Sequence, residues 1–209
     1  MTMTVAIPTG RIFEETAELL ARCGVRIPEE AVQGRKLHIE AEELTFVLAK
    51  DRDVPTYVEH GVADVGVVGR DVLSESAADV YEPLDLGFGR CRMVVAREGS
   101  AAPRFYRERP VVRVATKYPR VATRHFHAQG VPVGVIPLAG SVELAPVLGL
   151  ADCIVDLVQT GKTLEANGLE VDAVLFESTA HLVVNRASYR LKTETVRRWI
   201  ERFERAVSS

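Results

Sequence analysis

The feature that most constrains the fold is a repeated alternation of short apolar runs with helix-like segments, punctuated by glycines. Apolar runs rich in β-branched residues predict strands, whereas apolar residues that recur every three or four positions predict helices. Strands are predicted over 4–8, 35–40, 44–49, 63–69, 80–86, 111–116, 133–138, 152–157, 171–176 and 182–185. Helices are predicted over 11–23, 54–60, 70–76, 119–129, 141–148, 160–167 and 188–207. This order predicts an α/β fold with mostly parallel sheets flanked by helices.

A glycine-flanked segment divides the alternation into two parts. Gly87 and Gly89 lie on either side of one phenylalanine and lead into an apolar run. Glycine permits the bends that a crossing between two lobes requires. After a polar spacer over 99–109 the alternation restarts, and the last predicted helix is expected to bury Leu191.

Composition excludes several classes of protein. The 209 residues are 47% hydrophobic and 26% charged, which is typical of a globular chain of one or two domains. The net charge of −3 argues against a broad nucleic-acid or membrane surface. No stretch approaches the roughly 20 apolar residues of a membrane span, and the first residues lack the pattern of a signal peptide. Cys23, Cys91 and Cys153 form no CxxC motif, so we expect buried thiols in a reduced cytoplasm.

The segment 152–164 carries the strongest chemical signal. An apolar strand ends in Asp156, and a turn with Thr160, Gly161 and Thr163 then opens a helix. Free N–H groups at a helix start and nearby hydroxyls bind phosphate, and open α/β sheets bind ligands at strand carboxyl ends. We therefore expect the turn to bind a phosphate and Asp156 to reach sugar hydroxyls. The alternative is that Thr160 only caps the helix. A P-loop is excluded because its first glycine would stand at position 156.

Three further helix openings combine glycine with Arg or Ser, and together they favour a polyanionic ligand between the lobes. They are 8–11, 69–71 and 138–143. Arginine binds phosphate oxygens in a bidentate manner, so Arg11 and Arg35 are candidates for such contacts. The alternatives are solvated surface arginines, and plain capping by Ser141 and Asp71.

The sequence offers little evidence for a metal site or for a catalytic nucleophile. His125 and His127 are two residues apart on a predicted helix and therefore do not share a face. The sequence contains no HExxH motif, no Cys/His zinc set and no GxSxG motif. No metal-binding side chains are therefore expected.

Several strings of residues resemble the ATP phosphoribosyltransferase family, the first enzyme of histidine biosynthesis. The string 156–164 resembles the family's phosphoribosyl-pyrophosphate loop, and the others are 53–59, 69–73, 88–92, 115–119, 140–146 and 161–169. Together they extend over nearly the whole chain, which ends soon after residue 207 and so resembles the family's short form. The family often has lysine where this chain has Thr9.

The resemblance implies a two-lobed, periplasmic-binding-protein-like fold. Lobe one would comprise 1–90 and 178–209, and lobe two 91–177. The short form implies a homodimer that assembles with a regulatory subunit similar to histidyl-tRNA synthetase, and neither nucleic acid nor membrane is an expected partner.

The resemblance also implies the reaction and its residues. The phosphoribosyl group of phosphoribosyl pyrophosphate is transferred to N1 of ATP, and pyrophosphate is released with substrate-bound Mg²⁺. The implied catalytic residues, which stabilise the leaving group, are Arg11 and Arg35. The implied donor-binding residues are Asp156, Thr160, Gly161, Lys162, Thr163, Leu164, Ser141 and Glu143. The implied ATP-binding residues are Gly10, Arg70 and Asp71. Two alternatives stay open: a non-catalytic ligand-binding module, and an enzyme that joins the same sugar donor to another base.

Overall fold

The computed structural model describes residues 2–28, 36–101 and 109–208. Arg35 and most of the polar spacer lie outside these ranges. The strands are β1 (Met3–Pro8), β2 (His38–Glu40), β3 (Leu44–Ala49), β4 (Val65–Gly69), β5 (Tyr81–Asp85), β6 (Cys91–Glu98), β7 (Val112–Thr116), β8 (Val133–Pro137), β9 (Cys153–Val158), β10 (Leu169–Ser178) and β11 (Ala180–Val184). The helices are α1 (Phe13–Arg22), α2 (Val54–Glu59), α3 (Arg70–Ser76), α4 (Pro119–Ala128), α5 (Leu144–Val147), α6 (Lys162–Ala166), α7 (Arg186–Leu191) and α8 (Thr193–Ser208). None of the helices in the described ranges is long and apolar enough to cross a membrane.

Two compact units, each with one sheet, make up the chain. The first comprises 1–89 and 179–209 and has the strand order β2-β3-β1-β4-β11-β5. The second comprises 90–178 and has the order β10-β6-β9-β7-β8. The α/β class is confirmed, but both sheets are mixed rather than mostly parallel. Among the described strands, parallel pairing is limited to β3, β1 and β4 in the first sheet and to β9, β7 and β8 in the second.

Both faces of the first sheet are buried, as the apolar character of its central strands requires. Residues 3, 5 and 7 of β1 face a core that includes Leu19 of α1 and Phe203 of α8. Ala6, on the opposite face, packs with residues of α2 and α3. On that face α2 lies so close to β4 that a Cβ at Gly66 would come within 2.8 Å of Val58.

A partly buried ion pair stabilises the start of the C-terminal helices. The Asp64 carboxylate accepts hydrogen bonds from the Thr4 amide at 2.9 Å, the Ser188 hydroxyl at 2.6 Å and the Lys192 ammonium at 2.9 Å. Burial alone would raise the pKa of Asp64, but these hydrogen bonds outweigh it and hold the pKa below its ordinary value of 3.8.

The same contact explains one wrong expectation. The predicted helix over 188–207 is two helices, because Lys192, the residue between α7 and α8, turns toward Asp64. The break changes the helical phase, so Leu191 is 84% exposed rather than buried.

The second sheet also separates two cores. Cys153 and Val155 of β9 face α4, where Phe126 is completely buried. Ile154 and Val158 face the opposite side, together with Ala145 of α5 and Leu164 of α6. Because side chains alternate along β9, the position of Asp156 in the strand determines the side of the sheet on which its carboxylate lies.

Candidate active site

A polar cavity of about 270 Å³ lies at the carboxyl end of β9 in the second unit. Its lining residues come from the end of that strand, from the turn that follows, from α6 and from the turn before α5: Asp156, Leu157, Val158, Gln159, Thr160, Gly161, Thr163, Leu164 and Glu143. Six of the eight predicted donor-binding residues therefore line one cavity. Lys162 and Ser141 are not among the lining residues.

Asp156 lies on the cavity side because side chains alternate along a strand. It shares a face with Ile154 and Val158, which pack toward α5 and α6. Asp156 is only 9% exposed. A neighbouring contact fixes the parallel strands here, since the Thr116 hydroxyl at the end of β7 donates to the Val155 carbonyl at 2.6 Å.

The turn after β9 is shaped by Gly161, whose φ of +84° favours glycine. Gly161 is the N-cap residue of α6, so the alternative in which Thr160 only caps the helix is wrong. The first amide that bonds back into the turn is that of Glu165, which donates to the Gly161 carbonyl at 3.1 Å. The amides of residues 162–164 precede it and lack helical acceptors.

The turn before α5 brings a second carboxylate to the cavity. Ser141 has a φ of +48°, which is uncommon for a residue other than glycine. The Leu144 amide donates to the Ser141 carbonyl at 3.2 Å, so the chain turns here and α5 starts at Leu144. The expectation of a helix over 141–148 capped by Ser141 is therefore wrong. The same turn directs Glu143 into the cavity.

The residues predicted to bind ATP, together with the predicted catalytic residue Arg11, lie at one edge of the first sheet. Gly10 and Arg11 follow β1, whereas Arg70 and Asp71 follow β4. Because β1 and β4 are adjacent and parallel, their carboxyl ends meet at the same edge.

The side chains at this edge differ in their surroundings. The Arg70 guanidinium is exposed and donates to the Glu82 carboxylate at 2.7 Å. Asp71 is buried, and its carboxylate lies against Gly69. Arg70 is thus accessible to a ligand, whereas Asp71 shapes the turn.

Arg11 takes part in a contact that the sequence did not indicate. Its guanidinium donates to the Gly89 carbonyl at 2.7 Å, and the Gly89 amide donates to the Glu15 carboxylate at 3.2 Å. Gly89 has a φ of +65°, and a Cβ there would lie 2.6 Å from the Ile12 side chain. Arg11 and Glu15 therefore fix both polar groups of Gly89, the last residue before the second unit.

Other residues at the site were also missed. Gln159 lines the donor cavity, and its only sequence signal was its position inside the string 156–164. Glu15 had no signal, because its partner is 74 residues away.

Comparison with known proteins identifies the family. Residues 50–205 match the family model described as HisG: ATP phosphoribosyltransferase. The chain belongs to this family. An ATP phosphoribosyltransferase from Anaeromyxobacter sp. strain K is 50% identical over 210 residues, which cover 99% of this chain and 94% of that protein. A solved ATP phosphoribosyl transferase (HisG:HisZ) complex from Thermotoga maritima contains a chain that is 36% identical, with a TM-score of 0.86 and 99% coverage of each chain.

More distant structures support the fold alone. The aliphatic sulphonate binding protein from Escherichia coli superimposes with a TM-score of 0.61 at 12% identity, over 99% of this chain and 72% of its own. The periplasmic-binding-protein-like architecture is thus confirmed. Membership of the ATP phosphoribosyltransferase family fixes the reaction as transfer of the phosphoribosyl group of phosphoribosyl pyrophosphate to N1 of ATP, with release of pyrophosphate. It excludes both alternatives that the sequence left open.

Proposed function

We propose that the cavity of the second unit binds the phosphoribosyl donor. The observation that carries this assignment is the convergence of Asp156, Glu143 and the turn 160–164 on one cavity. Carboxylates accept hydrogen bonds from sugar hydroxyls, and unpaired amides beside hydroxyls bind phosphate oxygens. Asp156 and Glu143 bind the ribose, and the turn binds the 5-phosphate.

The members of the turn have different roles. The hydroxyls of Thr160 and Thr163 face the cavity, and within the described part of the chain they have no hydrogen-bond partner. Lys162 contributes its amide at the start of α6, since its side chain does not line the cavity. Gly161 and Leu164 hold the turn, and Ser141 sets the bend that directs Glu143.

Catalysis depends on the leaving group. Adenine N1 has no proton at neutral pH, so the reaction needs no strong general base. The barrier lies in breaking the bond between ribosyl C1 and pyrophosphate, and positive charge placed on the departing oxygens lowers it. Arg11 and Arg35 supply that charge. Gly10, Arg70 and Asp71 form the ATP-binding site. Arg70 is its accessible cation, and Asp71 shapes the turn that carries Arg70.

The donor cavity fits a magnesium ion that arrives with the substrate. Among the described residues no group of three His, Cys, Asp or Glu side chains could hold a metal ion. Asp156 and Glu143 are nevertheless carboxylates in one cavity, and Mg²⁺ prefers oxygen ligands that include substrate phosphates and water. When bound, the ion neutralises charge on the pyrophosphate. These two carboxylates would hold it, directly or through water.

Thr163→Val tests the donor site. The change keeps the shape of the side chain but removes its hydroxyl, so the KM for phosphoribosyl pyrophosphate should rise about tenfold. The KM for ATP should change less than twofold, since Thr163 is assigned to the donor alone. Initial rates measured as a function of each substrate separate the two constants. An equal rise in both KM values would assign Thr163 to folding and not to the donor.

The partners and compartment are part of this proposal. The Thermotoga maritima relative was solved as a HisG:HisZ complex, which supports assembly of this chain with a HisZ-like regulatory subunit. The homodimer stays a prediction from the family resemblance. The three cysteines are buried and form no disulfide, which supports a reducing cytoplasm. The division of contacts near residues 90 and 178 supports the two lobes at 1–90 with 178–209 and at 91–177.

A further inference from the structure

A second cavity, of about 420 Å³, lies in the first unit at the C-terminal end of α1. Three arginines, Arg22, Arg202 and Arg205, line it together with Cys23, Gly24 and Ala206. A helix of ten residues is about 15 Å long, so the cavity lies at the opposite end of α1 from Gly10 and Arg11. None of the described residues assigned to the reaction is among its lining residues.

Arg202 is held in place on two sides. Its guanidinium lies 4.5 Å from the centre of the Trp199 ring and bonds through Nη1 to the Glu43 carboxylate at 2.6 Å. Its Nη2 lies 3.0 Å from the point where a Cβ of Gly24 would stand. The φ of +80° at Gly24 and the absent side chain thus leave the cavity open beside this nitrogen.

The other two guanidiniums have unused donors. Arg205 bonds through Nε to the Glu201 carbonyl at 3.2 Å, and its terminal nitrogens have no partner in the described ranges. Arg22 makes neither a hydrogen bond nor an ion pair with the described residues. Both Arg202 and Arg22 lie near the Cys23 thiol, whose pKa is raised by burial although these two charges oppose the rise.

The charge in this cavity exceeds what the fold requires. A helix C-terminus carries about half a negative charge, so the ends of α1 and α8 together offset about one of the three guanidinium charges. Glu43 balances a further guanidinium only in part, because its side chain is 56% exposed. The carbonyls of Leu19, Leu20 and Ala21 already accept amides of the following turn, so they do not occupy the arginines.

We propose that this cavity binds a phosphate group through Arg22, Arg202 and Arg205. Guanidinium groups bind phosphate oxygens in a bidentate manner, and several around one concavity favour phosphate over monovalent anions. The volume lies within the range of small-molecule sites and exceeds the needs of one phosphate ion. The expected ligand is therefore a phosphomonoester, with Gly24 and Ala206 facing its non-phosphate part.

Trp199 is the chain's one tryptophan and stacks on Arg202, so its fluorescence reports on the cavity. The full-length protein is titrated with glycerol 3-phosphate and, separately, with inorganic phosphate, at ionic strength held constant with chloride. We expect saturable changes in emission, at lower concentration for the ester. Arg22→Gln and Arg205→Gln should each weaken binding about tenfold, with turnover unchanged.

Two control variants isolate the site. Arg197→Gln removes an exposed charge of α8 outside the cavity, and Asp156→Asn alters the donor site; neither should change the titration. Saturation by inorganic phosphate alone would assign the site to the free ion, which still supports phosphate binding. A non-saturating response, or one that Arg22→Gln and Arg205→Gln leave unchanged while both variants stay folded by circular dichroism, would overturn the proposal.

Discussion

Asp156→Asn is expected to lower kcat/KM for phosphoribosyl pyrophosphate by about two orders of magnitude. The carboxylate is 9% exposed in the donor cavity, and its amide replacement accepts only weaker hydrogen bonds from ribose hydroxyls. Initial rates at saturating ATP, with the sugar donor varied, measure the loss directly.

Glu165→Gln is the matched control for this variant. It removes one negative charge from the exposed side of α6, and Glu165 does not line the cavity. Its kcat/KM should stay within twofold of the wild-type value. Equal losses in both variants would mean that net charge near the turn, and not a ribose contact, explains the effect of Asp156.

Lys192→Met is expected to lower the free energy of unfolding by about 2–3 kcal/mol. The change leaves the Asp64 carboxylate, whose side chain is 5% exposed, without its cation. The expected loss lies below that of a fully buried pair, because the Lys192 side chain is 29% exposed. Urea unfolding followed by circular dichroism measures it.

Two comparisons test the reason for that loss. Arg186→Met removes an ion pair with Asp79 that is exposed on both sides, so its effect should stay below about 0.5 kcal/mol. Adding Asp64→Asn to Lys192→Met should recover part of the stability, since no buried charge is then left unpaired. Without such recovery, the loss would have to come from packing of the lysine stem.

The contribution of Asp64 to the free energy of unfolding depends on pH in a direction that can be stated. The folded-state pKa of Asp64 is lowered, so the stability that this group contributes is present above its unfolded value of about 3.8 and is lost as the pH falls through the folded value. Lys192→Met removes the cation that helps to lower that pKa, so the pKa of Asp64 should be higher in the variant than in the wild type. The difference between the variant and the wild type should therefore be largest near neutral pH and shrink on acidification.

Local patterns predicted local structure well. The strand over 44–49 and the helix over 70–76 have the predicted bounds, because the apolar run of the strand and Gly69 before the helix are local signals. The turn 156–164 was also recognisable, since strand, turn and helix are contiguous in the sequence. All these signals lie within about ten residues of one another.

Long-range contacts were not predictable in this way. Lys192 breaks the last helix because of Asp64, a partner 128 residues away. The mixed sheets result from β11 and β10, which pair antiparallel with distant strands, and no periodicity in one strand reports the direction of its neighbour. Glu143 reaches the donor cavity because Ser141 adopts a left-handed conformation, which serine seldom signals.

The most direct test of the donor site is an amide NMR titration of the second unit's signals in the full-length protein with phosphoribosyl pyrophosphate and Mg²⁺. We predict that the largest shifts fall on the amides of residues 160–164, with a smaller response at Asp156 and Glu143. Unchanged signals for that turn at saturating donor, with shifts concentrated elsewhere, would contradict it.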